Sequence, residues 1–158
     1  MQLDEEDLSA LSKITFGPCV CGIHEIEGEV DLPSPGAIQN FAADIYWVAD
    51  NKSKGISGTT IVTTHAGAKY SRMHWETPEP ELVNQLEGAI KPYLQNGSKI
   101  KSTQLKKWRY SVPLVTHPYE YLLAKGHPPL AFAGDAFGGR GRVEGAFMSG
   151  ISAGNALA

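Results

Sequence analysis

The residues best placed to do chemistry lie late in the sequence. Asp135 follows the apolar run Leu130, Ala131, Phe132 and Ala133, and is followed in turn by Gly138, Gly139 and Gly141. The run carries no charge, is bounded by Pro129 and Gly134, and suits a strand buried on both faces. From Val143 onward small and apolar residues recur at helical spacing, so the order reads strand, glycine loop, helix. Glycines permit backbone conformations closed to other residues and let a ligand come close. The first amides of a helix point outward with partial positive charge, which makes such a loop a site for phosphate or another electron-rich group.

Gly139-x-Gly141 followed by Gly145 falls one residue off the dinucleotide fingerprint G-x-G-x-x-G. A first βαβ unit also needs a second strand and an acidic residue about twenty positions later, and the sequence stops at Ala158, so that reading fails on length. A tight strand-to-helix turn whose glycines serve packing accounts for the spacing equally well.

Other side chains offer weaker chemistry. His65 ends a β-rich run and could act as a base, although a hydrogen-bonded structural histidine is the expected role. Cys19 and Cys21 are the only cysteines; spaced C-x-C they face the same side of a strand, where bridging is unusual. With His24 they lack the spacing and fourth ligand of a zinc site, so no metal is expected and the thiols read as small buried hydrophobes. His117, Tyr119, Tyr121 and His127 sit in a proline-rich stretch after Trp108, where rings could meet a planar ligand or simply cover a sheet edge. Arg140 reads as a solvated loop charge.

The elements that must position these residues follow from composition and periodicity. At 158 residues the chain suffices for one ordinary domain, burying roughly 70% of its unfolded surface. Charged residues make up 20% and hydrophobic ones 42%, and a net charge of −3 argues against a general nucleic-acid binder. No apolar run approaches the roughly eighteen residues of a membrane span, and the acidic start is unlike a signal peptide. The expected location is the cytoplasm, or a plastid where a transit peptide has been removed.

Asp4 to Ile14 reads as a short helix with acids at its positive end, and Thr15 to Ile26 as a strand. Glu27 to Gln39 reads as a loop; Ile45 to Ala49 and Thr59 to Thr64 read as further strands, close enough in sequence to pair antiparallel. Thr77-Pro78-Glu79 opens an amphipathic helix with threonine as cap, carried by Leu82, Val83, Leu86, Ile90 and Leu94 and closed by Asn96-Gly97. Lys99 to Tyr110 reads as a long alternating strand, and Ser111 to Pro129 as irregular.

The string A-G-D-A-F-G-G from Ala133, followed by G-R-V-E-G-A-F-M-S-G from Gly141, resembles the C-terminal flavin-binding segment of the renalase-like branch of the flavin amine oxidase family. Trp108 to Pro113, Thr63 to Arg72 and Trp47 to Lys54 resemble segments of the same branch, in family order from about Leu8 to the C-terminus. Pro33 to Ile38 corresponds to a segment near that family's substrate region. The family's N-terminal G-x-G-x-x-G strand and loop, which bind the ADP half of FAD, have no counterpart here. The sequence thus resembles the C-terminal half of an enzyme.

The resemblance implies an α+β fold: a mixed or antiparallel sheet with a covering helix over residues 1–112, the substrate domain. A strand, glycine loop and helix belonging to an FAD-binding Rossmann-like domain would follow over 113–158. It implies FAD as cofactor, with Gly134, Asp135, Gly138 and Gly139 lining the ribityl or pyrophosphate portion. Arg142, Val143 and Glu144 would place a helix start beneath the flavin's N1–C2 edge. The implied activity is oxidation of a small amine or reduced nicotinamide-type substrate; the alternative is a non-catalytic part or binding module unable to hold FAD alone. No catalytic residue is singled out. A small-molecule substrate is the expected partner, with no nucleic acid and no membrane. The apolar strand at Leu130 lacks an obvious parallel neighbour, so pairing with a second copy, or poor packing of the segment, is expected. Purified alone, the chain is expected to hold no stoichiometric flavin.

Overall fold

Thr15–Glu27 (β1) is a thirteen-residue strand and an inner member of a five-stranded sheet. The computed structural model describes residues 3–126, 129–139 and 141–158. Its contacts divide the chain into two compact units, Pro18–Arg109 and Met1–Gly17 with Tyr110–Ala158, so the helix of residues 5–12 groups with the C-terminal segment.

In the central unit β1 joins Ala37–Gln39 (β2), Ile45–Asp50 (β3), Ile61–Ala66 (β4) and Lys99–Val115 (β5) in the order β2-β3-β4-β1-β5. The pairs β2/β3, β3/β4 and β4/β1 are antiparallel. Lys101 pairs with Glu25 and Lys99 with Glu27, numbers rising on one strand as they fall on the other, so β5 also runs antiparallel to β1.

Ala68–Met73 (α2) and Glu79–Gly88 (α3) follow β4, and α3 covers one sheet face. Leu82 and Leu86 are fully buried against Val20, Ala66 and Tyr70; a second cluster joins Ile26, Val48, Val62 and Ile90. Complete burial of such aliphatic side chains contributes roughly 1.5–3 kcal/mol apiece, which fixes this face as the core.

The structure differs from the sequence-based expectations in several elements. α3 stops at Gly88, and Lys91–Tyr93 forms a separate 3₁₀ turn, because Pro92 cannot donate the helical hydrogen bond. Thr77 does not cap α3. Its hydroxyl lies 3.4 Å from His74 Nδ1, while extended Pro78 is the residue before the first helical one. Residues 37–39, expected in a loop, pair with β3 from Ala37↔Ala49 to Gln39↔Trp47. β5 continues past Tyr110 through Pro113 to Val115, since a strand at the edge of the sheet tolerates a residue with no N–H.

The other unit contains Glu5–Ser12 (α1), the short antiparallel pair Leu122–Leu123 (β6) and Ala131–Phe132 (β7), and Val143–Leu157 (α4). Asp4 caps α1 by accepting the Glu6 N–H at 2.9 Å. Buried Asp7 accepts the N–H of Lys125 at 2.7 Å. The strand expected to be buried on both faces is shorter and only half-buried, with an antiparallel neighbour on one side. Among the described residues the parallel pairing of a Rossmann-like sheet is confined to a single bridge, His117↔Phe137.

Candidate functional site

Glycine at 139 is required by the backbone rather than by crowding. Its φ is +74°, a region side chains rarely adopt, yet an added Cβ would meet nothing within 4 Å. At Gly141, φ is +51° and an added Cβ would come within 3.0 Å of the Pro113 ring, so both constraints apply there. The packing explanation of the glycines therefore holds at 141 and fails at 139.

Hydrogen bonds strap the loop from both sides. His117 N–H donates to Ala136 O at 2.7 Å, and Gly138 N–H points between the carbonyls of His117 and Tyr119 at 3.1 and 2.9 Å. Gly134 N–H donates to Ser149 Oγ at 2.8 Å, and that hydroxyl donates onward to the Glu120 carbonyl at 2.5 Å. Ser149 thus ties the loop start to the buried stripe of α4, formed by Gly145, Ser149 and Ala153.

At the start of α4, Arg142 is extended and supplies no side-chain cap. Ala146 N–H closes the first turn on Arg142 O, leaving the amides of Val143, Glu144 and Gly145 without an acceptor among the described residues. The structure gathers Gly134, Asp135, Gly138 and Gly139 in one loop and presents Arg142, Val143 and Glu144 at its exit. Asp135 is half-buried; Arg142, Val143 and Glu144 are exposed. Arg140 and His127 lie outside the described residues. The cavity beside the loop, lined by Glu120, Phe137, Gly138, Gly145 and Met148, measures only about 110 Å³.

The central unit carries a second surface that reasoning from sequence missed. Directly opposed residues on neighbouring strands share a face, and the registers align Cys21, His65 and Trp47 in one row, with Ile23, Thr63 and Ala49 in the next. These rows lie on the face away from Val62, Thr64 and Ala66, which point into the α3-covered core. His65 is half-buried and its ring makes no hydrogen bond among the described residues, unlike the structural role expected for it. Burial, and then the Lys54 charge, lower its pKa and favour the neutral ring.

The hydrogen-bonded structural histidine is instead His24, which is fully buried. Thr103 gives its hydroxyl proton to Glu87 Oε1 at 2.7 Å and so accepts from His24 Nδ1 at 2.9 Å; His24 Nε2 meets the Thr64 hydroxyl at 2.8 Å. Cys19 and Cys21 are buried and unbridged, with burial and then Cys19 pushing the Cys21 thiol up to about 11. Among the described residues no three His, Cys, Asp or Glu side chains cluster closely enough to hold a metal.

The sequence matches the family model of flavin containing amine oxidoreductases over residues 2–158. The chain belongs to that family. A search of curated proteins returned no match. The family's cofactor is FAD, and the donor set fits an electron-rich group of that kind: three first-turn amides with no acceptor among the described residues, after a loop whose Gly139 leaves open space. No helix among the described residues is long and apolar enough to cross a membrane.

Proposed function

We propose that this chain takes part in FAD-dependent oxidation of a small amine or a reduced nicotinamide-type substrate, with oxygen as electron acceptor. The observation that carries this reading is the strapped glycine loop opening onto the uncapped first turn of α4. Bound FAD supplies the two-electron chemistry. Asp135 would accept hydrogen bonds from hydroxyls of the bound cofactor, with Gly134, Gly138 and Gly139 keeping the backbone clear. The Val143, Glu144 and Gly145 amides would favour negative charge on the bound flavin, with the Arg142 and Glu144 side chains beside them. A helix terminus contributes roughly 1–2 kcal/mol, on the order of 20–40 mV for a two-electron couple, so this group tunes the cofactor more than it anchors it. The sheet face away from α3 offers half-buried Trp47 as an apolar group, and a neutral His65 beside it does not repel an ammonium.

Titration of the protein with FAD, followed by quenching of flavin fluorescence, tests the assignment. Gly139→Val and Asp135→Asn are each expected to weaken binding about tenfold by forcing the loop and removing a charged acceptor. Affinity unchanged in both variants would remove the loop from the cofactor site.

The cavity beside the loop favours a second reading, a binding module that does not hold FAD by itself. Ligand pockets run to roughly 300–1,000 Å³, several times the 110 Å³ found here. Purification of the chain without added cofactor separates the two: a yellow, stoichiometric flavoprotein excludes the module, and a colourless one supports it.

A further inference from the structure

The unit of residues 18–109 carries an open cleft of about 470 Å³, within the roughly 300–1,000 Å³ span of small-molecule sites. Its walls come from the turn before β3, the start of β3, α2 and the end of α3: Ala43, Asp44, Ile45, Tyr70, Gln85 and Ala89. Ile45 and Tyr70 also pack on the Leu82 and Leu86 core, so the cleft lies on the α3 side of the sheet, opposite the face that carries His65 and Trp47.

Three of these side chains are polar. The Tyr70 hydroxyl donates to Gln85 Oε1, and its oxygen keeps a lone pair that can accept. The Gln85 amide nitrogen is a neutral donor. The Asp44 carboxylate is the one charge on the cleft wall among the described residues, and it makes no hydrogen bond or ion pair with any of them. Its backbone is held separately, the Asp44 carbonyl accepting the Gly67 N–H at 2.8 Å.

Charge decides what such a cleft takes. Tyr70 is 8% exposed, and burial, then Asp44, then Glu81 raise its pKa, so both charges felt at its hydroxyl are negative. Lys69 and Arg72, the cations of α2, are exposed and do not line the cleft. An anion would therefore meet Asp44 and Glu81 with no cation on the wall to offset them. A metal ion would find one carboxylate among apolar groups, and no three ligating side chains cluster among the described residues. A neutral alcohol gains nothing from the charge. An ammonium can donate to both Asp44 and the Tyr70 oxygen, and hydrogen bonds to a charged group are roughly twice as strong as neutral ones. We propose that this cleft binds a small primary alkylammonium ion, its charge on Asp44 and its tail against Ile45 and Ala89. Binding there needs no flavin, so it stands or falls apart from the flavin reading.

The experiment is a heteronuclear NMR titration of the whole chain, without flavin, with butylammonium chloride, and with butan-1-ol and butyrate as controls of the same tail length. Butylammonium should shift the Tyr70 ring and the Ala43 and Ala89 methyl resonances saturably, and added salt should weaken it. Asp44→Asn, which keeps the backbone bond to Gly67, should weaken binding about tenfold with the rest of the spectrum unchanged. Asp44→Glu should restore part of the loss. Equal binding of butan-1-ol or butyrate, unchanged affinity in Asp44→Asn, or shifts centred on Trp47 and His65 would each overturn the proposal.

Discussion

α3 and α4 use their residues in opposite ways. α3 buries large ones: Leu82 and Leu86 are sealed against the sheet, and Glu79 and Glu81 face water. α4 buries small ones, with Gly145, Ser149 and Ala153 turned inward while Val143, Phe147 and Ile151 stand exposed. Val143 is 89% exposed and Phe147 66%. A helix that puts its smallest residues inward gives up hydrophobic burial for close backbone approach and a hydroxyl bridge, the arrangement that holds the glycine loop. The first helix supports stability and the second shapes a surface.

The largest expected effect lies in α3. Leu86→Ala should lower unfolding free energy by about 2–5 kcal/mol in chemical denaturation, because the side chain is fully buried and its surroundings relax only in part. A loss below about 1 kcal/mol would mean the α3 face is not a true core.

The buried histidine gives a pH signature. Burial holds His24 down to about 4 from its usual 6.5, so the unfolded chain binds its proton first on acidification. Its contribution is complete above pH 6.5 and is lost as pH falls from 6.5 through 4, approaching about 3 kcal/mol. His24→Gln should flatten the stability profile across that window; an unaltered slope would assign the acid sensitivity to other groups.

Effects in α4 should be smaller. Ser149→Ala strands both the Gly134 N–H and the Glu120 carbonyl, at a cost of about 1–3 kcal/mol, and should speed exchange of the Gly134 amide. Protection retained at Gly134 would show that the loop is held by other contacts. Phe147→Ser should change stability by no more than about 0.5 kcal/mol, since the ring is already in solvent, and should raise solubility. A clear drop in melting temperature would mean that α4 buries the ring after all.

What was legible in the sequence follows from how local each signal is. Asp4 before an acidic first turn marked α1, the β-branched residues of 61–64 marked β4, and Leu82 and Leu86 marked α3, because capping, propensity and helical spacing act within a few residues. The glycine loop was legible because glycine is the residue that most readily takes the positive φ found at 139 and 141. The row Cys21, His65 and Trp47 was not, because register between residues 44 and 18 positions apart is a property of the assembled sheet. Strand alternation along 61–66, with Val62, Thr64 and Ala66 turned into the α3-covered core, is what puts His65 on the opposite face. β5 was cut short at Tyr110 because proline argues against a strand, and whether a strand lies at an edge is decided by its neighbours. The inward stripe of α4 was hidden because periodicity reports which residues are apolar, not which of them a tight approach will admit.

The contact between Asp7 and the Lys125 amide spans 118 positions of sequence, with the whole of residues 18–109 threaded between its partners. A nascent chain emerges from its N-terminus, so α1 must wait through synthesis of an entire compact unit before its buried carboxylate finds that partner. Residues 18–109 can mature while Asp7 is still unsatisfied, and Lys125 closes that contact only after the intervening unit has been made.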